Sequence, residues 1–333
     1  MSNTFSEKHI LKVSDLQVRF YTYAGVVEAV SGVSFEVYRN EIVALVGETG
    51  SGKTMSTRAI TRLIEPPGRI EGGSALFRRK NGAVVDLLKL SDEEIRKIRG
   101  DEIAYVFQDP TSALDPLYTI GAHIAETVKD HKKAGKNVIK ELAIKLLRDV
   151  NIPNPEVRVK SFPHEMSGGM RQRAVTAISL SNSPALLIAD EPTTNLDVTI
   201  QAQVLDMLKE LARSRGMSTI LVTHNLGVVA ETADRVYVMY AGKIVENAGV
   251  YEIFDNPSHP YTQMLLRAVP NPVKKVEKLE SIPGTIPTLI NPPKGCRFHP
   301  RCPLAMDICR REEPPSIELS PGHTVRCWVY AKR

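Results

Sequence analysis

The chain has 333 residues, 42% of them apolar and 24% charged, with a formal net charge of +5. This is the profile of an ordinary globular protein and excludes a disordered, collagen-like or fibrous chain. No apolar stretch approaches the ~18–20 residues of a membrane span, and no apolar run follows Met1, so a cytoplasmic chain is expected. The small basic excess falls mostly after residue 250, which gives little support for a nucleic-acid-binding face.

In chain order, residues 10–37 alternate in the manner of antiparallel strands. Residues 41–46 read as a strand, apolar from Ile42 to Val46, the pattern of a buried strand. It runs directly into Gly47-Glu48-Thr49-Gly50-Ser51-Gly52-Lys53-Thr54, a complete P-loop pattern. A helix is predicted from Lys53 to about Ile64. The strand–loop–helix context is what the motif needs. Its glycines let the backbone fold tightly, so that N–H groups converge on phosphate oxygens at a helix N-terminus. Lys53 should reach the β- and γ-phosphates, and the Thr54 hydroxyl should ligate Mg²⁺. The competing reading is a glycine-rich turn without a ligand.

A strand over 102–107 ends at Gln108, whose amide could contact Mg²⁺ or water; alone it would be surface. Residues 119–164 read as all-helical, an inserted lobe. Met166-Ser167-Gly168-Gly169-Met170-Arg171-Gln172 precedes a helix over 173–180. Ser167 can cap that helix while Gly168 and Gly169 expose backbone N–H groups; in isolation this is a plain N-cap. A strand over 186–190 ends in Asp190-Glu191, carboxylates at the carboxyl end of a strand, where α/β sheets bind ligands. Asp190 is the expected Mg²⁺ partner, and Glu191 is placed to orient or deprotonate water; alone, the pair could be solvated loop acids. After a helix over 199–214, a strand over 219–223 ends at His224, either a γ-phosphate contact or a polar cap. A further strand covers 235–240. Strands separated by helices predict a largely parallel α/β sheet.

Composition changes near Gly249. Thirteen of the 22 prolines follow it, which excludes mostly long helix or central strand. A short helix over 261–268, a linker and a compact cysteine module are expected. All four cysteines lie here, as Cys296, Cys302, Cys309 and Cys327. In a reducing compartment, clustered thiols suggest a metal site rather than disulfides. The tight pair usual in zinc modules is missing, and four thiolates also suit an iron–sulfur cluster. Free buried thiols or redox-active pairs remain the alternative. Arg297, Arg301, Arg310 and Arg311 could offset a cluster's charge or be solvated surface, and His299 is a spare ligand.

Together these residues resemble the nucleotide-binding subunits of ABC transporters. The P-loop at 47–54, a Q-loop glutamine at Gln108 and a signature at 167–172 appear in the family's order. A Walker B strand ending in Asp190-Glu191, a D-loop of Asn195-Leu196-Asp197 and a switch histidine, His224, follow. Met170 and Asn195 depart from the commoner Gln and Ala, while the Ser-Gly-Gly core and both carboxylates remain.

The resemblance implies a P-loop α/β fold with an N-terminal antiparallel β subdomain and an inserted helical subdomain at about 110–165. A nucleotide-binding domain would span 1–250 and an extension 251–333. Two such domains would pack head to tail, the P-loop of one and Ser167-Gly168-Gly169 of the other enclosing each ATP. Adenine would stack on Phe20, with Tyr21 or Tyr23 as alternatives.

Asn256-Pro257-Ser258-His259-Pro260-Tyr261-Thr262 and the cysteine module look like the oligopeptide/dipeptide importer type. That resemblance implies an ATPase on the cytoplasmic face of the membrane. Its partners would be two permease subunits, a second ATPase chain (different or identical) and, indirectly, a substrate-binding protein. Peptides are the implied cargo, with nickel or oligosaccharides as alternatives. A soluble non-transport ABC ATPase is the remaining alternative. The resemblance favours a [4Fe–4S] cluster on the four cysteines, with Zn²⁺ as the alternative.

Overall fold

The computed structural model describes residues 5–194, 196–268 and 282–331. It divides into two compact units, neither continuous in sequence. The first comprises residues 1–10, 37–42 and 77–221, and the second residues 11–36, 43–76 and 222–333.

The first unit carries the strands Ile103–Val106, Leu186–Asp190 and Ser218–Thr223, neighbours in that order. The first two run parallel, with Ile103 opposite Leu186 and Val106 opposite Ala189. Leu186–Asp190 is buried along its whole length, as continuous apolar runs covered on both faces must be. The predicted helical stretch resolves into Ile120–Lys129, Lys136–Asp149 and Pro155–Arg158, then a short turn, Pro163–Glu165. Thr119 caps the first by accepting from the Ala122 N–H. Ile120, Ile124, Val128, Ala143 and Leu147 follow the helical spacing and share one core with Val106, Leu187 and Leu208.

The second unit holds the sheet of Gly25–Tyr38, His9–Thr22 and Gly68–Arg78, in that order. The first two in sequence are joined by two residues, so they pair antiparallel, as predicted. A second run of strands is ordered Ile317–Ser320, His323–Val325, Lys243–Gly249, Arg235–Tyr240 and Ile42–Val46. Only the last pair is parallel, with Val43 opposite Arg235 and Val46 opposite Val238; the others pair antiparallel. The sheet is therefore mixed, where a largely parallel one was expected. The cause is local: Ala241 and Gly242, at φ +47° and +80°, form a two-residue turn of the kind that closes a hairpin. The core of this unit joins Ala44 and Val46 to Val236, Val238, Tyr240, Tyr261 and Phe298. The strand feeding the P-loop thus packs in one cluster with the C-terminal extension. Among the described residues, no helix is long and apolar enough to cross a membrane.

Candidate functional site

In the second unit the P-loop follows Ile42–Val46 and opens the helix Lys53–Ile60. That helix ends earlier than predicted, because Arg62 turns to φ +53°. Gly52, at the N-cap with φ +100°, brings no side-chain acceptor, and the first turn carries no acid. A helix N-terminus capped in this way suits an anion. Gly52 also lies so close to Ala29 that a Cβ would stand 2.6 Å from its carbonyl oxygen. Lys53 is buried, and its Nζ donates to the carbonyls of Gly47 (2.7 Å) and Glu48 (3.1 Å). Ser51 is wholly buried, whereas Thr49 and Gly50 are exposed at the tip. His224, in the same unit, is exposed just past Ser218–Thr223. Asn225 beside it caps the next helix by accepting from Gly227 and Val228 N–H groups.

Two further contacts on this loop were not anticipated. The Glu48 N–H donates to the Tyr261 hydroxyl at 2.9 Å. The Glu48 carboxylate takes both terminal nitrogens of Arg301, at 2.8 and 3.1 Å. Their partners lie more than 200 residues away, so no local signal could have found them.

In the first unit, Asp190 is buried and its Oδ2 accepts from the Tyr105 hydroxyl at 2.7 Å. Gln108 Nε2 donates to Glu191 Oε2 at 3.2 Å, and Thr194 Oγ1 donates to the same oxygen at 2.9 Å. Glu191 itself stands at φ +47°, a left-handed conformation that costs a non-glycine residue about 1–2 kcal/mol. The structure thus brings Gln108 and Glu191 together and adds Tyr105, which the sequence reading missed. Ser167 caps the helix Gly168–Ser179 by accepting from the Met170 N–H. That helix begins five residues before its predicted start, because the glycines are its first turn. Ser167, Gly168 and Gly169 line an open hollow of about 710 Å³ with Arg173 and Asp197. Asp197 caps the helix Val198–Ser214; Asn195 lies outside the described residues.

Of the aromatics proposed for adenine, Phe20 lies over Gly68, where a Cβ would come within 2.6 Å of its ring. Tyr21 is tied to Glu71 by its hydroxyl and lies under Arg69. Tyr23 is fully exposed.

In the extension, Asn256–Thr262 forms a helix start, exposed at Asn256 and buried from Ser258 to Thr262. The His259 Nδ1 accepts from the Tyr261 N–H, and the Ser258 and His259 N–H groups donate to the buried Glu246 carboxylate. Burial pushes the His259 imidazole down to about 3. The cysteines are neighbours: the Cys296 N–H donates to the Cys309 carbonyl at 2.9 Å. Burial, and then the adjoining Cys309, Cys327 and Cys302, push the Cys296 thiol up to about 11. Burial does the same for Cys327.

Among the described residues, however, no three His, Cys, Asp or Glu side chains are arranged to hold a metal ion. The expected metal-binding extension is therefore a folded module whose thiols adjoin without forming a ligand set. Mg²⁺ needs no such set, because nucleotide phosphates and water complete its shell. The four arginines weighed as a charge offset or as solvated surface divide into two pairs. Arg297 and Arg301 are buried against Glu28 and Glu48, and Arg310 and Arg311 are solvated.

The ABC transporter family model matches residues 30–194, and that of the oligopeptide/dipeptide transporter C-terminal region matches residues 245–309. The chain is 49% identical to an oligopeptide transport ATP-binding protein, OppD, of Bacillus subtilis, over 96% of this chain and 88% of that one. It is 47% identical to a dipeptide transport ATP-binding protein, DppD, of the same organism, over 97% and 96%. Among solved structures, a dimeric ATP-binding cassette, MJ0796, in a post-hydrolysis state with ADP and phosphate aligns with a TM-score of 0.64 at 24% identity. It covers 72% of this chain and 98% of that one, and shows the fold. With near-complete alignment at such identity, the chain belongs to the ABC transporter ATP-binding proteins of the oligopeptide/dipeptide type.

Proposed function

We propose that the chain binds and hydrolyses ATP to drive uptake of di- or oligopeptides through an ABC importer. The observation that carries this reading is the P-loop: a buried lysine, a helix whose glycine N-cap brings no side-chain acceptor, and glycines where a Cβ would collide with backbone. Near-half identity with peptide-transport relatives along the whole chain supports the cargo class.

The assigned roles follow from chemistry. Gly47 to Gly52 wrap the phosphates, Lys53 exchanges its loop carbonyls for β- and γ-oxygens, and Thr54 and Asp190 serve Mg²⁺. Glu191, held by Gln108 and Thr194, orients and deprotonates the attacking water. His224 contacts the γ-phosphate and registers its loss. Ser167, Gly168 and Gly169 present a second helix N-terminus to the nucleotide of a partner ATPase chain in a head-to-tail dimer. The exposed ring of Tyr23 serves adenine better than Phe20, whose ring is committed to Gly68.

In this reading residues 1–250 are the nucleotide-binding domain, with a helical subdomain at about 110–165, and 251–333 the extension. The protein works peripherally at the cytoplasmic face with two permease subunits, preferably paired with a different ATPase chain. A [4Fe–4S] cluster, or Zn²⁺, on Cys296, Cys302, Cys309 and Cys327 requires those thiols to draw together. Their adjacency supports it, and iron, sulfide and zinc analysis after oxygen-free purification tests it.

The decisive experiment pairs Lys53→Ala with Glu191→Gln. Lys53→Ala should lose nucleotide binding. Glu191→Gln should keep binding while turnover falls about 100-fold or more. Unchanged turnover in both variants overturns the assignment.

A further inference from the structure

The segment between the first two cysteines, Cys296 to Cys302, sends two arginines into the nucleotide loop's surroundings. Arg301 has a side chain only 6% exposed. It grips the Glu48 carboxylate with both terminal nitrogens and donates its Nε–H to the Pro283 carbonyl at 2.7 Å. Its guanidinium sits 5.7 Å from the Tyr240 ring centroid. Tyr240, Tyr261 and Phe298 pack together with centroids 4.7–5.3 Å apart. From this cluster the Tyr261 hydroxyl accepts the Glu48 N–H. Arg297 donates to the Ala241 carbonyl at 2.6 Å and pairs with Glu28. The next residue, Gly242, donates its N–H to the Ser51 carbonyl at 2.8 Å. The P-loop is thus held at Glu48 directly and at Ser51 through one turn, by residues of the extension.

A carboxylate inside a phosphate loop poses an electrostatic problem. Left bare, Glu48 would repel a triphosphate at close range, an interaction weakly screened where water is partly excluded. A bidentate guanidinium both cancels that charge and fixes its direction. We propose that Arg301 is a positioning residue for nucleotide binding, neutralising and anchoring Glu48 so that the P-loop accepts the phosphates. The extension is then part of the nucleotide site's working structure. This rests on the reading that the P-loop binds ATP.

The test is the affinity of the full-length chain for a non-hydrolysable ATP analogue with Mg²⁺. Arg301→Ala should weaken binding about tenfold, the scale of one charge interaction at a few ångströms. Adding Glu48→Gln should bring affinity back to that of Glu48→Gln alone, because the repelling charge is gone. Arg301→Lys, a cation without the fork, should fall between wild type and Arg301→Ala. A purely structural arginine would not be rescued by removing the acid. Unchanged affinity in Arg301→Ala, or a loss that persists undiminished in the double variant, overturns the proposal. If Arg301→Ala does not fold, the same cycle is run with Arg301→Lys, and equal losses with and without Glu48→Gln overturn it. Lys53→Ala separates the two ideas. Binding lost there but intact in the Arg301 variants removes only this proposal, whereas binding intact in Lys53→Ala removes the ATP reading itself.

Discussion

Gly47 stands at φ +150°, with the Met239 carbonyl oxygen 2.2 Å from where a Cβ would sit. Gly47→Ala must therefore move one of two packed strands as well as strain the loop. It should destabilise the protein by about 2–4 kcal/mol and abolish nucleotide binding, measured by denaturant unfolding and analogue titration. Tyr105→Phe removes a single hydroxyl from the buried Asp190 carboxylate. The expected cost is about 1–3 kcal/mol of stability, with a higher Mg²⁺ requirement for turnover; an unchanged Mg²⁺ dependence would take Tyr105 out of the site. At this scale the P-loop was legible because all its parts are consecutive. Tyr105 was not, since a tyrosine in an apolar strand carries no mark of the carboxylate 85 positions away. Arg301 was visible only as one of four nearby arginines, and the sequence could not distinguish the buried pair from the solvated one.

The helix Pro260–Arg267 depends on a neutral imidazole at its start. His259 Nδ1 must accept the Tyr261 N–H, and burial holds its pKa at about 3 against an ordinary 6.5. The unfolded chain takes up this proton as pH falls through about 6.5, and the folded chain does not until about 3. Folded stability therefore declines across that window on acidification. His259→Asn keeps an acceptor without the titration. Melting temperatures at pH 7 and pH 4.5 should converge more in this variant than in wild type, and parallel declines would dismiss the imidazole as the cause. Element positions were readable from hydrophobic period and from the strand-end motifs, usually to within a few residues. Two features were not. The Lys53 helix stops at Ile60 through a left-handed Arg62, and the mixed sheet arises from a hairpin turn at Ala241-Gly242 that carries neither Asn-Gly nor Asp-Gly.

At the scale of the whole molecule, the phosphate loop and the extension share one compact unit, and the strand leading into the loop shares an apolar cluster with the extension. Ending the chain after residue 250 would remove Tyr261 and Phe298, whose burial contributes about 2 kcal/mol each, together with the strand His323–Val325. Such a truncation should lose solubility and protease resistance rather than yield a trimmed active ATPase, as comparison of soluble fractions would reveal. This unit is also assembled from three separated pieces of the chain, which bears on its birth at the ribosome. Ala44 and Val46 are synthesised first and Phe298 some 250 residues later, so the phosphate loop's foundation stays incomplete until the extension follows. Nucleotide competence is consequently expected only once the extension has been made, and chains terminated before Phe298 should lack it.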